Sequence, residues 1–171
     1  MFRESIEDIL KASTIEAIRA STSATCEVLD PDPANTVALS PARDLAPDGC
    51  RTLMRLLLDP HSWYFAKKRC LPRHTALFRL KGEQGNVKVV LGFSCVGWIV
   101  TGPAERRGGF FDPVAADVRE LLKATFPEYA SPGRRFVWRS GIIAELRALA
   151  SAAKGPAEQR APADGGRDRR L

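Results

Sequence analysis

The chain has 171 residues, of which 44% are hydrophobic and 27% charged, and its formal net charge at neutral pH is +6. This length supports one domain with a substantial core, and the composition is ordinary for a globular protein. No apolar run approaches the roughly 18 residues that a membrane-spanning helix needs. Residues 1–8 are too polar for a secretory signal, so we expect a cytoplasmic location.

The first third of the chain predicts two helices that flank a β-hairpin. Apolar residues near the N-terminus recur at helical spacing, which predicts an amphipathic helix over residues 2–20: Phe2, Ile6, Ile9 and Leu10. Residues 24–29 and 35–40 predict paired strands, because the segment between them contains two prolines and must turn. Residues 49–58 predict a short helix with Asp48 as its N-cap.

The central part of the chain predicts three successive strands. Residues 75–81, 86–93 and 96–101 are rich in β-branched and aromatic residues, and a polar glycine-containing turn joins the first two. Residues 103–109 are interpreted as a loop. These strands would form the sheet around which the helices pack.

The C-terminal part predicts further helices and a tail. Asp112 and Pro113 are good residues for an N-cap and a first helical turn. Residues 136–138 fit a short strand or a packing cluster, and Ser140 is a candidate cap for a last helix. Residues 154–171 contain no Val, Ile or aromatic residue, so we expect a disordered basic tail.

Together these elements predict an α+β fold. We expect a single domain over residues 1–153, with a mainly antiparallel sheet of about five strands. Three to four helices would pack on one face of that sheet.

Several short motifs resemble those of an uncharacterised family of small bacterial proteins. They are a leucine-rich helix at residues 56–60, a Cys-x-Pro at residues 70–72, strands at 76–79 and 87–91, and a Phe-x-Cys at residues 93–95. The likeness spans roughly residues 50–126. It implies an α+β fold and a bacterial source, and it implies no activity. Gly92 stands where that family has the first cysteine of Cys-Phe-x-Cys.

The cysteines offer three interpretations. Cys26, Cys50, Cys70 and Cys95 form no Cys-x-x-Cys pair, so the simplest expectation for a cytoplasmic chain is four free thiols. Cys70, His74 and Cys95, with His61 as a further donor, would suit a tetrahedral zinc ion if the fold brought them together. A reversible disulfide between Cys70 and Cys95 is the third interpretation.

A basic segment beside aromatic residues suggests polyanion binding. The cations are Lys67, Lys68, Arg69 and Arg73, and they follow Trp63, Tyr64 and Phe65. Proteins that bind single-stranded nucleic acids use cations for the phosphates and aromatic rings for stacking. The alternative is a solvated loop beside core aromatics.

No catalytic or phosphate-binding motif is present, and the chain has only two histidines. We therefore expect a non-enzymatic bacterial accessory or regulatory protein without a cofactor, which acts by binding another protein. A role in immunity or defence would suit such a small domain. The candidate interface residues are aromatic side chains beside glycine or arginine: Phe110, Phe111, Phe136 and Trp138.

Overall fold

The computed structural model describes residues 5–30, 38–66, 68–70 and 73–127. Several predictions lie outside these residues. They are the strand or cluster at residues 136–138, the last helix, the domain boundary at residue 153 and the basic tail. Lys67 also lies outside them.

The described residues form one antiparallel sheet with strand order β2-β1-β3-β4-β5-β6. Its strands are β1 (Ser21–Val28), β2 (Arg43–Asp44), β3 (Ala76–Gly82), β4 (Gly85–Gly92), β5 (Gly97–Thr101) and β6 (Arg106–Phe110). The α+β prediction is confirmed, and the three central strands lie where the sequence placed them. Gly85, with φ of 114°, supplies the left-handed residue of the turn between β3 and β4.

Strand β6 corrects the sequence prediction of a loop over residues 103–109. Its residues are Arg-Arg-Gly-Gly-Phe, which carry no alternation of apolar and polar side chains. The strand forms because β5 offers a complete pairing partner, with Gly97 opposite Phe110 and Thr101 opposite Arg106. Tertiary pairing here overrides a weak local preference.

In the described part of the chain, three α-helices cover one face of the sheet: α1 (Ala12–Arg19), α2 (Pro47–Leu58) and α3 (Ala115–Thr125). Short 3₁₀ turns precede α1 at Ile6–Asp8 and follow α2 at Pro60–Ser62, and a third at Asp112–Val114 leads into α3. None of these described helices is both long and apolar enough to cross a membrane.

The helix boundaries differ from prediction at three starts. The expected N-terminal helix is divided, because Lys11 is extended with φ of −69° and ψ of 150°. Asp48 is not the N-cap of α2, since Ala46 takes that position and Pro47 occupies the first turn. Asp112 opens the 3₁₀ turn, and α3 begins three residues later.

The predicted hairpin after β1 is only partly described. Residue Ala38 forms an isolated antiparallel bridge with Leu29, and the Leu39 amide donates to the Val28 carbonyl at 2.7 Å. Strand β2 pairs with β1 further along, with Asp44 opposite Thr25. Within the described residues 38–40 of the predicted second strand, the pairing is thus a single bridge at Ala38. Strand β2 is a separate element that begins at Arg43.

One face of the sheet, called here the inner face, packs against the helices and is sealed from water. Each central strand contributes alternate side chains to it, as the two-residue period of a strand requires. Fully or almost fully buried members are Ala24, Cys26, Val28, Ala76, Phe78, Leu80, Val87, Val89, Leu91, Trp98 and Val100. They belong to the same core cluster as the apolar faces of the helices.

Candidate functional site

The opposite face of the sheet, the outer face, carries two parallel rows of side chains. Cross-strand register places Leu77, Val90 and Ile99 side by side and ends this apolar row at Gly108. The three apolar side chains are only half-buried. The outer face therefore presents a contiguous apolar stripe that no described helix covers.

The second row is basic and lies beside the first. Register aligns Arg79 with Lys88, and then Thr101 with Arg106. Arg79 is paired with Glu27 at 3.3 Å. Lys88 and Arg106 are exposed, and neither has an ion-pair partner within the described residues. The basic row thus offers uncompensated positive charge along one side of the apolar row.

A pocket of about 510 Å³ occupies the end of the apolar row nearest β6. Its walls include Val90, Ile99, Phe65, Phe110, Lys68 and His74. Two glycines, Gly97 and Gly108, also line it and leave space where side chains would otherwise stand. A Cβ atom added at Gly108 would lie 3.9 Å from its nearest neighbour, the Trp98 carbonyl oxygen, so this position is open.

Most of the pocket lining is apolar, and His74 is one of its few polar residues. Nε2 of His74 is a buried nitrogen without a hydrogen-bond partner within the described residues. A buried polar atom gains free energy when a ligand supplies a partner. His74 thus lines the pocket and carries a nitrogen whose hydrogen-bonding capacity no described residue uses.

A disulfide between Cys70 and Cys95 forms part of the pocket wall. It joins the segment before β3 to the loop between β4 and β5, with the two Cα atoms 5.8 Å apart. The expectation that all four cysteines are free is therefore wrong, and the disulfide alternative is the observed one. The bond closes a loop across 25 positions of the chain and holds the two segments together.

With this bond formed, Cys70, His74 and Cys95 cannot form the predicted zinc site. Both sulfur atoms are bonded to each other, so neither is a thiolate ligand for zinc. Within the described ranges, no three or more His, Cys, Asp or Glu side chains are grouped so as to hold a metal ion. His61 lies in the 3₁₀ turn after α2, and it does not line the pocket.

Gly92 has a steric role at this edge of the site. A Cβ atom there would stand 2.5 Å from the carbonyl oxygen of Arg73, and this neighbour is backbone that cannot move aside cheaply. In this chain the close approach of residue 73 requires glycine.

Lys68 is part of the site's framework rather than a free cation. Its ammonium group bonds to both carboxylate oxygens of Asp112, at 2.6 and 2.7 Å, and to the Cys95 carbonyl at 3.2 Å. It also lies 4.4 Å from the centre of the Phe110 ring. These contacts hold the loop over the end of β6.

The predicted basic-aromatic loop is only partly assembled. Arg69 and Arg73 are exposed and separate from the core. Trp63, a stacking surface in the polyanion interpretation and a core residue in its alternative, is fully buried, and its indole N–H donates to the Leu57 carbonyl at 3.0 Å. That part of the nucleic-acid interpretation is wrong, because Trp63 anchors the core beside Trp98, with ring centres 4.7 Å apart.

The two described interface candidates have opposite environments. Phe111 is fully buried, with its ring 5.5 Å from that of Trp98 and 5.4 Å from that of Phe93. The prediction that it is an interface residue is wrong, because it fills the core beneath β5. Phe110 is half-buried and forms a wall of the pocket. The other two candidates, Phe136 and Trp138, lie outside the described residues.

The two free cysteines provide no reactive thiol. Cys26 and Cys50 are both buried. Burial raises the pKa of each thiol, because the apolar surroundings disfavour the charged thiolate. Both therefore stay protonated near neutral pH and act as small core residues.

Sequence reasoning missed the apolar row and the pocket. The signal for the row was present, since Leu77, Val90 and Ile99 interrupt the polar positions of strands that otherwise alternate. No comparable signal marks the pocket. It arises where Gly97 and Gly108 have no side chains and where the disulfide closes the wall.

No protein-family model, curated protein or solved structure matches this chain. The resemblance to small bacterial proteins accordingly stays a prediction. The geometry of the outer face is the basis for assigning a function.

Proposed function

We propose that this chain is a non-enzymatic binding protein that recognises another protein through the outer face of its sheet. An apolar side chain of the partner would enter the pocket, and the basic row would contact acidic groups beside it. The observation that carries this proposal is the apolar row that ends in an open pocket of about 510 Å³. Exposed contiguous apolar surface with a polar rim is typical of recognition sites.

The pocket is suited to an aliphatic or aromatic side chain. Transfer of one such side chain from water into an apolar site contributes roughly 1.5–3 kcal/mol. Val90, Ile99 and Phe110 supply the apolar contacts, and His74 supplies a polar one. A single anchor of this kind surrounded by weaker contacts is how most protein interfaces distribute their binding energy.

The electrostatics of the face favour an acidic partner. Lys88 and Arg106 are exposed beside the apolar row, whereas Glu27 is already engaged by Arg79. An acidic partner would gain both faster association and a defined orientation from these charges. An accessory or regulatory role, as expected from the sequence, suits a domain that offers such a surface.

The redox state of Cys70 and Cys95 in the cell would indicate in which compartment this binding takes place. A chain working in the reducing cytoplasm would hold Cys70 and Cys95 as thiols, whereas an oxidising compartment would preserve the bond. Rapid alkylation of denatured protein from its native cell, read by mass spectrometry, distinguishes the two. Modification of Cys26 and Cys50 alone identifies the oxidising case, and modification of all four cysteines supports the cytoplasmic expectation.

Site-specific photo-cross-linking tests the binding proposal. A photoreactive amino acid replaces Ile99 on the outer face or, as a control, Ala116 on the exposed side of α3. We expect a discrete cross-linked protein from position 99, and we expect Gly108→Leu in the same chain to remove it by filling the pocket. Ala116→Leu adds the same side chain elsewhere and should leave the product unchanged.

Two results would contradict the proposal. One is equal cross-linking from positions 99 and 116, which would indicate random collisions. The other is a product from position 99 that persists at full strength in the Gly108→Leu chain, since that side chain occupies the proposed anchor site.

A further inference from the structure

The edge of the sheet at β6 is only partly paired. The Tyr64 amide donates to the Phe110 carbonyl at 2.8 Å, and the Phe110 amide donates to the Tyr64 carbonyl at 2.9 Å. Successive strand residues direct their backbone groups to alternate sides, so the N–H and C=O of Gly108 and Arg106 face the same edge as those of Phe110. Within the described residues, neither Gly108 nor Arg106 has a backbone partner on that edge.

The segment that pairs with Phe110 stops short of the rest of the strand. Continued antiparallel pairing would bring Ala66 opposite Gly108, yet no hydrogen bond joins them. Lys68 instead contacts Asp112 and the Cys95 carbonyl through its ammonium group. Among the described residues, the backbone groups of Arg106 and Gly108 on this edge are therefore available to another extended segment.

A second and independent observation concerns Arg107. Its Nε is a buried donor that lacks a hydrogen-bond partner among the described residues, and its guanidinium lies 5.4 Å from the centre of the Phe65 ring. A buried guanidinium donor without an acceptor costs free energy that an incoming carboxylate would recover. Arg107 belongs to β6, and its side chain lies on the same face of the sheet as that of Val100, its partner in β5.

We propose that β6 receives an extended, acidic segment of the partner protein as an additional antiparallel strand. This inference rests on the proposed function and specifies how the partner binds. The added strand would exchange backbone hydrogen bonds with Gly108 and Arg106, and one of its side chains would fill the pocket. Strand addition of this kind combines backbone affinity with side-chain specificity.

The register of the sheet gives the order of side chains in the partner. A residue opposite Gly108 lies on the outer face, in line with Ile99 and Val90, so it is apolar. The next residue lies opposite Arg107 and the one after it opposite Arg106, so both are acidic. The recognised sequence is thus an apolar residue followed by two acids, in an extended segment.

Charge also argues against the chain's own C-terminal part as the occupant. The segment around the predicted strand at residues 136–138 contains Arg134, Arg135 and Arg139. Pairing it with β6 would bring these arginines near Arg106 and Arg107, and like charges across a strand pair destabilise it. An acidic segment from another protein fits the edge better.

Backbone N-methylation tests the proposal with the full-length protein. The probe is a peptide that begins with an acetylated leucine, because Phe65 lies beside Gly109, and continues with two glutamates, threonine and valine; binding is followed by the amide chemical shifts of Gly108 and Ile99. Methylation of the leucine nitrogen removes the bond to the Gly108 carbonyl and should weaken binding by about tenfold or more. Methylation of the next nitrogen, which faces away from β6, is the matched control and should alter affinity by no more than about twofold.

Two further probes test the chemistry of the partner. A peptide with lysines in place of both glutamates should not bind, and Arg106→Glu should reverse this preference. Gly108→Pro removes the edge donor while keeping the strand, since proline is tolerated where a strand's N–H faces outward. The Gly108→Pro variant should therefore not bind the acidic peptide.

The outcomes separate this inference from the proposed function. Equal affinity of the two methylated peptides overturns strand addition and leaves pocket binding intact. The same conclusion follows if the parent peptide causes no chemical-shift change while N-acetyl-leucine amide changes the amide chemical shifts of Gly108 and Ile99. If neither the peptide nor N-acetyl-leucine amide changes these chemical shifts, both strand addition and the proposed function are wrong. If a single-stranded oligothymidylate shifts these amides and the peptide does not, the basic row binds nucleic acid and the acidic-segment proposal is wrong.

Discussion

The two faces of the sheet are formed by the same strands, yet they differ in how far their side chains are buried. On the inner face every second residue of β3 and β4 is completely or almost completely buried, from Ala76 to Leu91. On the outer face the intervening residues, such as Leu77 and Val90, are half-buried, and Val90 lies near Lys88, which has no ion-pair partner among the described residues. The inner face holds the buried core, whereas the outer face keeps apolar side chains partly exposed to solvent.

Matched truncations give the largest expected contrast between the faces. Phe78→Ala empties a fully buried site and should lower the free energy of unfolding by about 3–5 kcal/mol. Ile99→Ala, on the half-buried outer face, should lower it by about 1 kcal/mol or less, because less apolar surface is lost. Urea denaturation measures both values. Equal losses would mean that the outer face is as much a part of the core as the inner face.

Removal of the disulfide in the pocket wall should lower the stability of the fold. Replacing Cys70 and Cys95 with serine should lower the free energy of unfolding by about 2–4 kcal/mol, because the unfolded chain regains the freedom of the closed loop. A reductant should destabilise the native protein by a similar amount and leave the double variant unaffected. An unchanged midpoint in reductant would show that the bond does not contribute.

The inner face should also respond to alkaline pH. Burial raises the pKa of the Cys26 thiol, while the thiol of the unfolded chain titrates near about 8.5. Above that pH the unfolded chain releases a proton that the native state keeps, so the free energy of unfolding falls by up to about 1.4 kcal/mol per pH unit. Cys26→Ala should remove this part of the slope. An unaltered slope in the variant would mean that other groups cause it.

The smallest expected effect lies in the loop that carries Cys95. Val96 has φ of 51°, a left-handed conformation that disfavours a β-branched residue. Val96→Gly should raise the free energy of unfolding by about 0.5 kcal/mol, with the gain limited by lost side-chain packing. Val90→Gly, in extended backbone, should lower it instead. A loss in both variants would show that packing outweighs backbone strain at Val96.

The sequence predicted those parts of the fold that depend on local pattern. Alternation marked β3, β4 and β5, and helical spacing marked the buried side of α2 and of α3. Strand β6 was not predicted, because its two arginines and two glycines show no strand pattern and the strand forms only by pairing with β5.

The site could be predicted only in fragments. Phe110 and Lys68 were named from the sequence, and both lie at the pocket. The choice between metal, thiols and disulfide for Cys70 and Cys95 depends on a Cα separation of 5.8 Å, which the loop between β4 and β5 determines. The pocket itself is a space left by glycines, and spacing in the sequence does not reveal where such a space lies.

Methyl NMR of the full-length protein with a soluble paramagnetic agent tests the contrast between the faces most directly. We predict strong broadening of the Ile99 and Val90 methyl signals on the outer face. The Val89 and Leu80 methyls on the inner face should stay sharp, because both side chains are fully buried. Equal protection of all four residues would contradict the account, since it would mean that the intact chain already covers the surface assigned to a partner.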